Sequence, residues 1–234
     1  MKLAIIAAGE GSRLKDEGIG IPKPMIEING EKLIDRLIRI GMHNECEGVC
    51  CIVNEESTDV AKYLLRQKSV VPIDVKIKST PSSLHSLKEL GKFIKQPFVL
   101  TTVDAVFDEV EFNQFINHVH KTKADAVLGI TNYIDDEKPL CVEIDKAGRV
   151  LSFHNRKENH QWATGGIYFF RRNIFNDVNK VIESGVHRLR NFLNYMLMNG
   201  YKIDSYRFSK IIDVDHADDI QKAEELVRNM ESAN

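Results

Sequence analysis

In the first half of the chain, short apolar runs alternate with longer stretches in which apolar residues recur every three or four positions. Residues 2–7 read as a buried strand, and Leu33, Ile34, Leu37, Ile38 and Gly41 then fall on one helical face. The pattern continues with strand 48–53, helix 58–67, an alternating strand 73–77 and a helix 83–94 carrying Leu84, Leu87, Leu90 and Phe93. Strand 98–103 runs into Asp104, and helix 112–119 and strand 126–131 follow. Such alternation is the mark of crossover units that build a parallel sheet. Beyond it the runs shorten to 140–144, 150–153 and 166–170, with the turn Asp145-Lys146-Ala147-Gly148 between the first two. This predicts an antiparallel extension. Helices 175–184 and 189–199, strand 202–208 and an amphipathic helix 217–230 close the pattern. No repeat or linker interrupts it, so residues 1–234 are expected to form a single domain.

The chain has 234 residues, 43% apolar and 28% charged, enough for one large core with a solvated surface. Its 32 basic and 34 acidic side chains leave a net charge of -2, which excludes a strongly basic nucleic-acid-binding surface. Any anion must therefore be bound locally. Cys46, Cys50, Cys51 and Cys141 lack metal-ligand spacing and read as reduced thiols of a cytoplasmic protein. The opening apolar run is too short for a secretory signal and meets Glu10 and Arg13 at once. No stretch has the roughly 18 apolar residues of a membrane span, so neither membrane nor nucleic acid is an expected partner.

The first chemical signal is "AAGEGSRL", a glycine turn ending in Arg13 directly after the first strand. Glycines at 9 and 11 let backbone N–H groups approach a phosphate, and Arg13 adds a forked cation. Alone the spacing also fits an ordinary tight turn. A dinucleotide fingerprint fits poorly, because Leu14 stands where its third glycine belongs. A Walker loop is excluded because no Gly-Lys-Ser/Thr follows. Nine residues after Arg13 comes Pro22-Lys23-Pro24, then an apolar stretch, Gly30, and a helix opening Leu33-Ile34. Lys23, held extended between two prolines, supplies a second cation of the kind a triphosphate's departing pyrophosphate needs.

Gly-x-Gly-x-Arg followed at this spacing by Pro-Lys-Pro resembles the sugar-nucleotide pyrophosphorylase family of sugar-1-phosphate nucleotidyltransferases, and the later motifs extend the resemblance over most of the chain. It implies a Rossmann-like three-layer α/β/α fold with a mixed, mainly parallel sheet. The loop Lys15-Asp16-Glu17-Gly18 departs from it, standing where many members carry Pro-Leu-Thr. Asp104 ends a parallel strand, where ligand crevices open, and the resemblance places a metal-binding aspartate there. In "KIIDVDHADDI" it makes Asp213 the usual second ligand, while Asp215 stands at a position often held by glycine and is a further candidate for the same Mg²⁺. His216 replaces a familiar threonine and reads as a helix-start residue. Asp218 and Asp219 suit the positive end of the following helix.

The resemblance further implies an acceptor site with Glu143, Thr164 and Gly165, and with Arg156 in place of a phosphate-binding lysine; Asn155 replaces the glutamate before it. Trp162 reads as a stacking wall or as packing. The nucleotide is expected against Ala7, Ala8, Gly9, Gly11, Ser12, Arg13, Lys23, Ser82, Ser83 and Asp104, with Arg13 and Lys23 as the catalytic cations. His118 and His120, two apart on a helix, face away from each other and read as surface residues. The implied reaction transfers a nucleoside monophosphate from a triphosphate to a sugar 1-phosphate with release of pyrophosphate. A cytidylyltransferase for phosphocholine or another small alcohol phosphate, and a non-catalytic nucleotide-sugar sensor, are the alternatives. The expected partners are these small molecules, and the expected assembly is a monomer or a homodimer.

Overall fold

The computed structural model describes residues 1–68, 70–95, 97–135, 137–155, 160–171 and 174–231. Its main sheet is built on β1 (Lys2–Ala7), which lies between β4 (Val49–Val53) and β6 (Phe98–Thr102) and is parallel to both. β5 (Ile73–Ile77) extends this parallel half beyond β4. On the other side, β11 (Trp162–Phe170) runs antiparallel to β6. Along both halves it also pairs, antiparallel, with β8 (Ala126–Thr131), which pairs in parallel with β12 (Ile203–Phe208). The first half of β11 meets β9 (Cys141–Ile144), and β9 pairs with β10 (Val150–His154). β1, β4, β5, β6, β8 and β12 therefore share one direction, with β11 set against them. This is the mixed, mainly parallel sheet expected from the sequence.

The alternation of β1 divides the core. Leu3, Ile5 and Ala7 pack with α2 (Leu33–His43), α3 (Thr58–Gln67) and α5 (Glu109–Lys121) on one face. Ala4 and Ile6 pack with α4 (Ser83–Leu90), α6 (Phe175–Glu183) and α7 (Leu189–Met198) on the other. Each strand side chain thus buries its apolar surface against a helix, at about 25 cal/mol per Å². A third, smaller cluster joins Leu14 of α1 (Ser12–Asp16) to Ile212, Val214, Ala223 and Val227 of the C-terminal segment. This cluster holds the first and last parts of the chain together at the carboxyl end of the sheet. Two short ribbons complete the fold: β2 (Glu27–Ile28) with β3 (Glu31–Lys32), and β7 (Ala105–Phe107) with β13 (Ile211–Asp213). α8 (Ala217–Glu231) follows.

Three details depart from the sequence reading. The helix expected over 83–94 stops at Leu90 and tightens into a 3₁₀ turn over Gly91–Phe93. β11 begins at Trp162, four residues before the expected start, because β9 offers its first residues a partner. His118 is half-buried beside Tyr206, with a buried Nε2 that has no hydrogen-bond partner, and so is not a plain surface residue. Trp162 receives the Arg207 guanidinium over its ring at 4.9 Å, a packing role. The four cysteines are buried, and burial pushes the thiols of Cys46 and Cys50 up to about 11 and about 12.

Glu89, nearly buried on α4, accepts from Lys78 and Lys92 at 2.7 Å each, and these bonds hold its carboxyl down to about 2. Its folded-state pKa lies below the unfolded one. The stabilisation is therefore complete above about pH 4.5 and is lost as pH falls toward 2. Between pH 5 and pH 3 the wild-type chain should lose on the order of 1–2 kcal/mol more stability than Glu89→Gln. Urea unfolding at the two pH values measures the difference, and equal losses would refute it.

Candidate active site

β1 ends at Ala7, and the chain turns through Gly9 and Gly11 into α1. Gly11 adopts φ +61, the left-handed conformation that glycine accepts without strain. The five-residue helix carries Leu14 inward and leaves Arg13 at the cleft. Lys23 opens a single 3₁₀ turn, Lys23–Met25, whose buried Pro24 pins the segment. Asp104 occupies the turn between β6 and β7. The β7–β13 ribbon brings Asp213 opposite Ala105, and the Val214 N–H donates to the Asp104 carbonyl at 3.1 Å. A short antiparallel pairing thus sets two distant acidic segments side by side.

Asp104, Asp213 and Asp215 each offer a carboxylate oxygen within 4.8 Å of the others. Lys23 Nζ donates to Asp104 Oδ2 at 2.9 Å and to Asp215 Oδ1 at 2.5 Å, and Arg13 Nη1 donates to Asp215 Oδ2 at 2.6 Å. Burial alone would raise Asp104, but the Lys23 ammonium outweighs it and holds the carboxyl below its usual range. Burial would likewise lower Lys23, and Asp104 and Asp215 together raise it instead. Asp213 keeps an exposed edge, yet its carboxyl faces into the cleft. Loss of solvent there, with Asp104 and Asp215 beside it, pushes its pKa well up. Asp104 Oδ1 is buried without a hydrogen-bond partner. An orphaned carboxylate oxygen beside two further carboxylates fits a hard divalent cation.

Two cavities meet at this cluster. The smaller, of about 320 Å³, is lined by Ala8, Gly9, Lys23, Ser82, Ser83 and Asp104, and also by Thr80, Ser86 and Thr102. The larger, of about 380 Å³, is lined by Arg13, Thr164, Gly165, Asp213 and Asp215, with Thr131, Tyr133, Glu137, His216 and Lys222 among its further walls. Of the other residues singled out in the sequence, Ala7 is buried in β1, Gly11 shapes the turn, and neither Gly11 nor Ser12 lines these cavities. Glu143 is exposed on β9, accepts from Ser152 Oγ at 2.7 Å and lies 3.6 Å from His154 Nε2, outside both cavities. Arg156 lies outside the described residues. Thr131 ends β8 and Tyr133 lies just beyond it, so the rule that ligands gather at the carboxyl ends of strands points to them.

The floor between the cavities depends on a break in β11. Its pairing with β8 shifts register between Thr164 and Tyr168, a bulge made by Gly165 and Gly166. A Cβ on Gly165 would meet Ile211 Cδ1 at 2.2 Å, and one on Gly166 would meet Thr102 Oγ1 at 2.4 Å. β11 can therefore press directly beneath the segments that carry Asp104 and Asp213.

The profile of the family described as Nucleotidyl transferase matches residues 2–229. A D-glycero-alpha-D-manno-heptose 1-phosphate guanylyltransferase of Campylobacter jejuni is 25% identical over 76% of this chain and 79% of its own. A UTP–glucose-1-phosphate uridylyltransferase of Haloferax volcanii is 23% identical, with 97% of each chain covered. The chain spans about half the length of several bifunctional relatives. Among solved structures, the inositol-1-phosphate CTP transferase of T. maritima superposes with a TM-score of 0.83 over 98% of this chain and 96% of that one, at 18% identity.

Gly166→Ala places a side chain at φ +75 as well as against Thr102. It should cost about 2–4 kcal/mol in urea unfolding, whereas Gly185→Ala, also at positive φ (+89) but with open space around it, should cost about 1 kcal/mol. Equal costs would show that the close approach beneath the site is not a constraint.

Proposed function

Given that this chain belongs to the nucleotidyl transferase family, we propose that it transfers a nucleoside monophosphate from a nucleoside triphosphate to a sugar 1-phosphate and releases pyrophosphate. The observation that carries this reading is the meeting of two cavities at Lys23, Asp104 and Asp213. The smaller cavity, rimmed by the glycine turn and by the hydroxyls of Thr80, Ser82, Ser83 and Ser86, suits the nucleotide. The larger one, which reaches Thr164, Tyr133 and Lys222, suits the acceptor. The names of the Campylobacter and Haloferax relatives, both acting on hexose- or heptose-1-phosphates, support that acceptor class.

In this reading an acceptor phosphate oxygen attacks the α-phosphorus in line, and the electron pair of the broken bond leaves with pyrophosphate. Arg13 and Lys23 take up the charge that develops on the leaving group, which requires them to exchange Asp215 for phosphate oxygens. Asp104 and Asp213, with Asp215 released to join them, would hold Mg²⁺. Such an ion, when bound, neutralises triphosphate charge and orients the reacting phosphates. Cavity walls on either side keep the two substrates aligned, which removes the entropy cost of a bimolecular encounter. No covalent enzyme intermediate is needed.

A second acceptor class is favoured by one observation. Asn155 stands where the resemblance puts the carboxylate that holds sugar hydroxyls, and Glu143, expected at the acceptor, is engaged with Ser152 and lies outside the cavities, so a smaller alcohol phosphate needs no group that the cleft lacks. The test is pyrophosphate release by the purified chain with Mg²⁺, crossing five nucleoside triphosphates against hexose and heptose 1-phosphates, inositol 1-phosphate and phosphocholine. Turnover with one sugar 1-phosphate, reduced at least about a hundredfold in Asp104→Ala, is expected. Turnover confined to an alcohol phosphate would replace the acceptor, and nucleotide binding without any turnover would favour a sensor. Replacing Mg²⁺ with excess chelator should abolish release; activity that survives chelation would remove the metal from the reaction.

A further inference from the structure

The segment that carries Arg13 and Lys23 touches the strand end that carries Asp213 and Asp215 through three polar side chains among the described residues. Arg13 and Lys23 both reach Asp215. The third is Glu17: its Oε1 accepts from His216 Nδ1 at 2.6 Å, and its Oε2 accepts from the Ala217 N–H at 2.6 Å. The first two contacts cannot survive the proposed reaction, because the cations turn to phosphate and Asp215 turns to the metal. The Glu17 contact uses no group that the triphosphate or the metal requires.

We propose that Glu17 and His216 form a clasp that keeps the Arg13 segment docked on the carboxylate-bearing strand end while substrate replaces Asp215. Both are thus positioning residues for the triphosphate site. α1 is only five residues long and is anchored inward by Leu14 alone. Glu17 caps its far end, with its N–H donating to the Arg13 carbonyl at 3.0 Å. A grip on Glu17 therefore fixes the rotation of the turn that aims Arg13. The other side of the clasp is rigid as well: Asp219 Oδ2 accepts from the Asp215 and His216 N–H groups at 3.1 and 2.8 Å, and Ala217 begins α8, where an acidic partner suits the helix dipole. Glu17 lines neither cavity, and the His216 ring turns its Nδ1 from the cleft rim toward Glu17.

The inference rests on the phosphate role given above to Arg13 and Lys23, so its test reads that site directly. Inorganic pyrophosphate with Mg²⁺ is titrated calorimetrically into the full chain as wild type, Glu17→Gln, His216→Ala, the double variant and His216→Asn. Each of the first two variants should weaken binding about five- to tenfold, and the double variant no further than either alone. His216→Asn, which keeps a donor nitrogen toward Glu17, should recover most of the affinity. With an active substrate pair, KM for the triphosphate should rise in parallel, and in Glu17→Gln, whose side chain lines neither cavity, kcat should change less than about twofold; a general loss of structure would lower both kcat and the ligand-free melting temperature. Wild-type binding matched within twofold by Glu17→Gln and His216→Ala would overturn the clasp and leave the phosphate role standing, and so would strictly additive losses. Failure of the wild-type chain to bind pyrophosphate would overturn the phosphate role, and the clasp with it.

Discussion

Three carboxylates held within 4.8 Å of one another cannot all stay charged unless something positive stands among them. The site meets this demand with side chains at two of the three, while Asp213 keeps a raised pKa: Lys23 bridges Asp104 and Asp215, and Arg13 closes on the far oxygen of Asp215. Much of the surrounding architecture follows from that constraint. The β7–β13 ribbon sets Asp213 beside Asp104, buried Pro24 pins the 3₁₀ turn that Lys23 opens in place of the extended backbone its two prolines suggest, and the glycine bulge in β11 lets the sheet approach from below. The same charges make the cluster exchangeable. In the proposed reaction phosphate oxygens replace Asp215 on Arg13 and Lys23, so these pairs keep the cations aimed without locking them.

Most of the main sheet was legible in the sequence because its signals are local. Residues 2–7, 58–67, 73–77 and 126–131 carry an uninterrupted period or apolar run, and the observed elements have those limits. The elements that escaped are those made by distant partners. β7 and β13 have three residues each and exist because they pair with one another, about a hundred positions apart. The early start of β11 depends on β9 in the same way. The sequence of α1 reads as a plain turn, since five residues carry too little periodicity to mark a helix.

The residues of the candidate site were legible to a different degree. Arg13, Lys23, Asp104, Asp213 and Asp215 stand out by motif and spacing, and the structure brings them into one cluster. Glu143 was placed near an acceptor by resemblance, but its partners are Ser152 and His154 on the neighbouring strand, a pairing visible only once β9 and β10 are in register. Glu17 and His216 each depart from the family pattern, in segments about 200 positions apart. In the fold they touch, so two apparent irregularities are one contact.

The Arg13–Asp215 pair joins positions 202 residues apart, and Lys23–Asp215 joins positions 192 apart. Closing so long a loop costs entropy that rises only with the logarithm of its length, and the packing of Leu14 against Ile212 and Val214 provides the compensating burial. Timing is the consequence. During synthesis the cations emerge first and have no carboxylate of β13 to meet until nearly the whole sheet has been made. Asp104, which pairs with Lys23, is made with the first half of the sheet, and Asp213 and Asp215 complete the acidic wall about a hundred residues later. The full set of charges is therefore complete only after the last strand, unlike in a protein whose clustered groups are neighbours in sequence.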